Sequence, residues 1–109
     1  MSVEFLPEVV GYFEKLARIL FVNGYFGGYE WAVRYVNDLN IDIKTTLPMR
    51  SHRPAPKHFD KYGKSMKYAI FRKSKRTSWY VFFKTYNRDG EKIFLVRYIA
   101  NNHTIAQYL

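Results

Sequence analysis

The sequence predicts an α+β fold, in which an N-terminal antiparallel helical hairpin packs on a small, mostly antiparallel sheet and a short C-terminal helix follows. Three observations support this class. Apolar residues recur at helical spacing through the first 44 residues, a basic stretch with several prolines interrupts the pattern, and the remainder is dense in aromatic and β-branched residues. A chain of 109 residues is expected to form a single domain, over residues 1–109.

The first helix is predicted from about Val3 to Phe21, because its apolar residues recur every three or four positions. Ser2 is a candidate N-cap. Pro7 must lie within the first turn or two, or the helix begins nearer to it, since proline is tolerated only there. The dipeptide Asn23-Gly24 is expected to end the helix, because glycine adopts the left-handed conformation common at helix C-termini.

A second helix is predicted from about Tyr29 to Lys44, after the flexible join Gly27-Gly28. The short connection makes the two helices antiparallel neighbours. The expected buried face consists of Tyr29, Ala32, Val33, Val36, Asn40 and Ile43.

Residues 45–63 are predicted to form a surface loop. Three prolines exclude a long helix from this stretch, and its arginine, lysine and histidine side chains make it basic.

Three strands are predicted in the second half, over Met66 to Arg72, Trp79 to Thr85 and Ile93 to Ile99. The last two form an antiparallel hairpin with a longer loop, within which Gly90 supplies a positive φ. Because the Trp79 to Thr85 strand is apolar on both faces, the helices should cover one face and leave an aromatic patch on the other. The tail is expected to form a short helix capped by Asn101 or its neighbour.

Several function classes are disfavoured by the sequence. The chain lacks cysteine, and its three histidines have no helical metal-pair spacing, so no metal site and no cofactor is expected. Phosphate-binding loops, dinucleotide fingerprints and nucleophile elbows are missing. No apolar run is long enough for a membrane helix and no secretory signal is evident, so the expected location is the cytoplasm.

Charge divides the chain into two unlike halves. Residues 1–47 contain four basic and six acidic side chains, a net charge of −2. Residues 48–109 contain 14 basic and three acidic side chains, a net charge of +11. The second half therefore favours a polyanionic partner, most simply nucleic acid. The alternative is a basic surface that only keeps the protein in solution.

The basic half combines cations with aromatic residues, which suits phosphate neutralisation and base stacking. Candidate RNA-binding residues are Arg72, Lys73, Lys75 and Lys84. Candidate catalytic residues are Arg76, Arg97, His103 and Tyr108. Metal-free RNA cleavage requires a base for the 2′-hydroxyl proton, an acid for the leaving oxygen and cations for the phosphate, and these residue types supply all three. Each of these residues also has a purely structural interpretation, such as a solvated turn for Arg72 to Arg76.

The order of elements resembles the RelE/ParE superfamily, the small toxins of bacterial type II toxin–antitoxin modules. The resemblance rests on the helical hairpin and the proline-containing connection, followed by strand-like segments at 68–73, 77–83 and 93–99 and by Asn101-Asn102-His103. It covers nearly the whole chain.

The resemblance implies an activity and a partner. The RelE-like branch cleaves messenger RNA on the ribosome without a metal, and an antitoxin protein holds the toxin inactive. By position, Arg72, Lys75, Arg76 and Arg97 match that branch's phosphate-binding and charge-stabilising residues. His103 matches its late general acid or base, and Tyr108 its late aromatic residue.

The sequence also departs from that branch. Apolar residues Trp79 to Phe83 replace the basic residues of the second strand, and the glutamate base of some relatives has no clear counterpart. Three alternatives therefore stay open. They are a ParE-like toxin directed at DNA gyrase, a non-enzymatic RNA-binding module, and a degenerate toxin-like protein kept only as a partner.

Overall fold

A computed structural model, which describes all residues from 1 to 109, shows a five-stranded sheet with a helical hairpin on one face. The strand order is β1-β5-β4-β3-β2; only the β1–β5 pair is parallel. This confirms the predicted α+β class. The elements are β1 (Ser2–Phe5), α1 (Pro7–Val22), α2 (Tyr29–Thr46), β2 (Arg53–Pro54), β3 (Lys67–Arg72), β4 (Ser78–Arg88), β5 (Glu91–Asn101) and α3 (Asn102–Ile105).

The N-terminus forms a strand and not the first turn of a helix. Residues 2–5 pair in parallel with β5, and α1 begins only at Pro7, so the predicted start at Val3 and the Ser2 cap are wrong. The reason is that proline's fixed φ and missing N–H suit the first helical position. The backbone N–H of Leu6 turns away from the helix and donates to Val96 O at 3.0 Å.

The hairpin buries one face of each helix against the sheet. The predicted positions Ala32, Val36 and Ile43 of α2 are buried, but Tyr29 and Val33 are exposed. The buried residue that the prediction omits is Leu39. Neither helix is long and apolar enough to cross a membrane.

The sheet separates two hydrophobic cores. Trp79, Val81 and Phe83 of β4 pack against the hairpin in the larger core, whereas Phe82 lies in a smaller core on the opposite face. Apolar character on both faces of β4 is thus confirmed. The smaller core is covered by other parts of the chain, however, so the expected open aromatic patch is wrong. Its members are Phe59, Met66, Tyr68, Phe82, Ala100 and Ile105.

The stretch predicted as a surface loop contains structure. It holds a 3₁₀ turn at Leu47–Met49, the short strand β2 and a 3₁₀ turn at Lys57–Tyr62. Leu47 and Phe59 are buried, the second with its ring centroid 4.4 Å from that of Phe82. The prolines prevented a long helix as expected, but they permit short turns that place single apolar side chains into the cores.

The β4–β5 hairpin has a tighter turn and longer strands than predicted. Arg88 pairs directly with Glu91, so only Asp89 and Gly90 form the turn, and the expected longer loop is wrong. Both turn residues have positive φ, 53° and 81°, which is typical of the type I′ turn that Asp-Gly favours. The positive φ expected at Gly90 is confirmed.

We expect Gly90→Ala to lower the free energy of unfolding by about 1 kcal/mol, because an L side chain disfavours this left-handed φ. Nothing lies within 4 Å of the added Cβ, so the cost is confined to the backbone. Gly27→Ala is the matched control, since its Cβ also meets open space and its φ is not left-handed. Urea unfolding checks both variants; equal effects would contradict the assignment.

Candidate functional site

His103 stands at a corner where α3 leaves the sheet. Asn101 caps α3 as predicted, its Oδ1 accepting from the backbone N–H of His103 at 3.0 Å. The imidazole is exposed, with Nε2 3.4 Å from the Thr77 hydroxyl oxygen. The ring of Tyr25, from the loop between the two long helices, lies 6.4 Å away between centroids. The histidine therefore has a fixed backbone and an accessible ring.

Asn102 joins this corner to the turn between β3 and β4. Its Nδ2 donates to Arg76 O at 3.0 Å, and its Oδ1 accepts from the backbone N–H of Ser78 at 2.9 Å. The turn is further held by Ser74, whose hydroxyl oxygen accepts from the N–H groups of Arg76 and Thr77. The structure thus fixes the backbone of Arg76 beside Asn102, the residue that precedes His103. We call the β3–β4 turn with residues 101–103 the His103 corner.

The cations of the His103 corner have unequal electrostatic surroundings. Arg72, Lys75 and Arg76 are exposed and form no salt bridge. Lys73 instead lies 3.3 Å from Asp42 Oδ2 and has part of its charge balanced. Three of these four cations are therefore available to an anion.

Asp42 anchors a structural cluster beside the corner. Arg50 donates to its Oδ2 at 3.0 Å and to Ile70 O at 3.1 Å, and the guanidinium also covers the Phe71 ring at 3.7 Å. Burial raises the pKa of Asp42, but the Thr46 hydroxyl and the charges of Arg50 and Lys73 outweigh it and hold that pKa below its usual value.

Arg97 belongs to a different place on the sheet. Phe82 and Phe83 pair with Tyr98 and Val96, so Arg97 has no partner on β4, which makes a β-bulge. Its Nε donates to Tyr62 O at 2.7 Å. The Tyr62 and Tyr98 rings stack beside it, with centroids 3.8 Å apart.

A groove of about 610 Å³ runs along this bulge, between the start of α1 and the Lys57–Tyr62 turn. Tyr12 and Tyr98 line it. Burial raises the pKa of Tyr12 to about 12, and burial together with the neighbouring Tyr62 raises that of Tyr98 to about 12. Both phenols therefore stay protonated near neutral pH, which excludes them as general bases there.

The other predicted residues are dispersed. Tyr108 stacks on His58 with ring centroids 3.6 Å apart, on the Lys57–Tyr62 turn. Lys84 lies six positions beyond Ser78 on β4, roughly 20 Å away by strand rise. Of the eight candidates, the structure groups Arg72, Lys75, Arg76 and His103, with Lys73 turned to Asp42, and separates Arg97, Tyr108 and Lys84 from them.

Sequence reasoning missed two members of the corner. Thr77 and Tyr25 are far from His103 along the chain, and no local pattern links them to it. The sequence marks Asn102 as a possible cap and as part of Asn101-Asn102-His103, but not as the residue that holds the β3–β4 turn. No group of three metal-ligating side chains occurs in the chain.

Comparison of the chain with protein-family models, curated proteins and solved structures finds no match.

Asp42→Asn should destabilise the protein at neutral pH and have less effect in acid. The carboxyl has a lower pKa folded than unfolded, so its contribution is complete above about pH 4 and is lost as the pH falls through the folded-state pKa. Urea unfolding at several pH values measures this. Asp38→Asn is the control, because this exposed residue of α2 forms no ion pair; a pH-independent loss in Asp42→Asn would contradict the mechanism.

Gly63→Ala should lower the free energy of unfolding by about 1–3 kcal/mol, since Gly63 has a φ of +152°. The new Cβ would also lie 2.8 Å from Arg97 Nε and push that side chain off Tyr62 O. Thermal unfolding of both single variants and of Gly63→Ala/Arg97→Ala forms a double-mutant cycle. Additive losses would show that the two residues do not conflict.

Proposed function

We propose that the protein is the toxin of a toxin–antitoxin module and cleaves messenger RNA on the ribosome, in the cytoplasm, without a metal. The observation that carries the proposal is the pairing of an exposed imidazole with unpaired cations at the His103 corner. The late position of the histidine and the resemblance to RelE-like toxins point the same way. The net charge of +11 in residues 48–109 supports an RNA substrate.

The proposed chemistry is attack of an RNA 2′-hydroxyl on the adjacent phosphate. The bond from the 2′-oxygen to phosphorus forms, the bond to the 5′-oxygen breaks, and a proton passes from the first oxygen to the second. His103 is the proton-transfer group, because imidazole serves most often in this role. Arg76 and Lys75 stabilise the additional negative charge on the phosphate. Thr77 and Asn102 are positioning residues, since they hold the ring and the turn.

The proposed antitoxin has an apolar surface available to it on the helical hairpin. The sheet's aromatic face is covered by the chain itself, but Val22, Trp31 and Ile41 are 71, 52 and 59% exposed. These exposed apolar side chains are the candidate contacts for an antitoxin on the hairpin. The hairpin belongs to residues 1–47, which have a net charge of −2, whereas the His103 corner belongs to the basic half. An antitoxin bound to the hairpin would therefore leave the His103 corner accessible to RNA.

One observation favours a second function, a non-enzymatic RNA-binding module. Arg97 and Tyr108 are held by structural contacts of their own, to Tyr62 O and to the His58 ring, and neither forms a hydrogen bond or ring contact with His103. Without these two residues, the corner offers a single imidazole, whereas the cleavage requires both a base for the 2′-hydroxyl and an acid for the leaving 5′-oxygen. An RNA-binding module would bind with a steep salt dependence and leave the RNA intact.

His103→Ala is expected to reduce mRNA cleavage at least about a hundredfold while the protein stays folded, because a general acid–base group is lost. Arg76→Ala should also lose activity. RNA 5′ ends are mapped in bacterial cells shortly after induced expression. New ends inside translated codons, absent with these variants, support the proposal.

The matched controls are Gln107→Ala, exposed near His103 in sequence, and Arg18→Ala, an exposed arginine of α1. Both should cleave as the natural chain does. Cleavage that survives in His103→Ala would overturn the site. Intact mRNA with a DNA-damage response would favour the gyrase-directed alternative, and intact mRNA with salt-dependent RNA binding would favour the binding module.

A further inference from the structure

The largest concave feature of the chain is the groove of about 610 Å³ that runs along the bulge at Arg97. It shares no lining residue with the cavity of about 250 Å³ beside the His103 corner, between the helical hairpin and the β3–β4 turn. Its volume lies within the roughly 300–1,000 Å³ of pockets that hold small organic molecules. The apolar wall of the groove, which suits the hydrocarbon part of a ligand, is formed by Leu6, Val9, Ile99 and Ala100.

The β-bulge gives Arg97 its place in this groove. Val96 packs in the larger core and Tyr98 against the smaller one, although residues two apart on a regular strand face the same side. Arg97 is therefore the extra residue of the bulge. A glycine makes room for its side chain, because a Cβ at Gly63 would lie 2.8 Å from Arg97 Nε. The bulge and the glycine together fix the position of the guanidinium.

The guanidinium of Arg97 has hydrogen-bond donors that nothing in the chain uses. Its Nε donates to Tyr62 O at 2.7 Å, but neither terminal NH₂ group forms a hydrogen bond, and the side chain has no salt-bridge partner. The planar fork of arginine matches the two oxygens of a carboxylate. Because Arg97 is half-buried, water and salt screen its charge less than they screen an exposed cation.

The other polar residues of the groove also favour a negatively charged group. Lys61 adds an exposed ammonium, whose Nζ lies 5.4 Å from the centroid of the Tyr62 ring. The Tyr12 phenol makes no hydrogen bond within the chain and stays protonated near neutral pH, so it can donate. Glu8 is the only carboxylate that lines the groove, and it forms no salt bridge. Cations therefore outnumber carboxylates there.

We propose that this groove binds a small amphipathic carboxylate, a molecule with one carboxylate on an apolar body. The terminal NH₂ groups of Arg97 bind the carboxylate, Lys61 adds positive charge, and the apolar wall holds the body. An uncharged hydrocarbon would leave the guanidinium unpaired, and an inorganic anion would leave the apolar wall in water. Binding here is independent of mRNA cleavage, because neither His103 nor the β3–β4 turn takes part.

Isothermal titration calorimetry with the purified full chain tests the class of ligand. Octanoate is the first ligand, octanamide has the same shape without the charge, and acetate has the charge without the body. Octanoate should bind at least about tenfold more tightly than octanamide, because charge-assisted hydrogen bonds are stronger than neutral ones. Acetate should bind at least about a hundredfold more weakly than octanoate, since the methylene groups are missing. Equal affinities for octanoate and octanamide would overturn the proposal.

Arg97→Gln should weaken octanoate binding at least about tenfold and leave octanamide binding unchanged, because only the charged group needs the guanidinium. Unchanged octanamide binding also verifies that the groove itself is intact. Arg18→Gln is the matched control, since this exposed arginine of α1 does not line the groove. Octanoate binding that is undiminished in Arg97→Gln would overturn the site.

Glu8→Gln tests the same site without touching the bulge. Removal of the one lining carboxylate should tighten octanoate binding about two- to threefold at low salt, and the gain should shrink as salt is added. Glu14→Gln is the matched control, because this exposed glutamate of the same helix does not line the groove. Equal affinities of the two variants for octanoate would contradict binding in the groove.

A different occupant of the groove would also be recognised. If neither octanoate nor octanamide binds at millimolar concentration and the chain sediments as a dimer, the groove is an interface between two copies, and the carboxylate proposal is overturned. Thermal unfolding of each variant verifies that the fold is retained. Either result leaves the nuclease to be decided by the mapping of RNA 5′ ends.

Discussion

The fold depends on one strand that is apolar on both of its faces. Phe82 and Phe83 are adjacent in β4, are almost completely buried, and belong to different cores. Because successive side chains of a strand point to opposite sides, the chain must supply cover for both faces. The hairpin of α1 and α2 covers one. The Lys57–Tyr62 turn and α3 cover the other face, and each places one buried side chain there, Phe59 and Ile105.

This arrangement determines where the chemistry lies. No polar or charged side chain is fully buried, so the cations collect at the rims of the two cores. Three of the four half-buried cations have a partner: Arg50 and Lys73 pair with Asp42, and Arg97 donates to a backbone carbonyl, whereas Lys84 has none. Arg72, Lys75 and Arg76, at the β3–β4 turn, are among the cations that remain unpaired. Since α3 must return across the sheet to place Ile105 in the smaller core, it carries His103 to the same rim.

The covered second face also changes what the protein can bind. An open aromatic sheet would have offered a broad stacking platform, but Phe59 and Ile105 occupy it. Five smaller concave features remain, among them the groove beside Arg97 and the cavity beside His103. The cavity beside His103 lies next to an exposed imidazole and to the exposed cations of the β3–β4 turn.

Local patterns in the sequence determined the two long helices, three of the five strands, the cap at Asn101 and the division of charge, because each depends on neighbouring residues. Two strands, β1 and β2, were not predictable: each is short and is stabilised by a partner strand remote in sequence.

The candidate site shows the same division. His103 and the cations near it are recognisable by residue type. Only the tertiary structure decides that Arg97 and Tyr108 make contacts elsewhere and that Tyr25 and Thr77 approach the His103 ring. The physical reason is that a β-bulge, a salt bridge or a ring stack depends on which segments pack together, and burying both faces of β4 sets that packing.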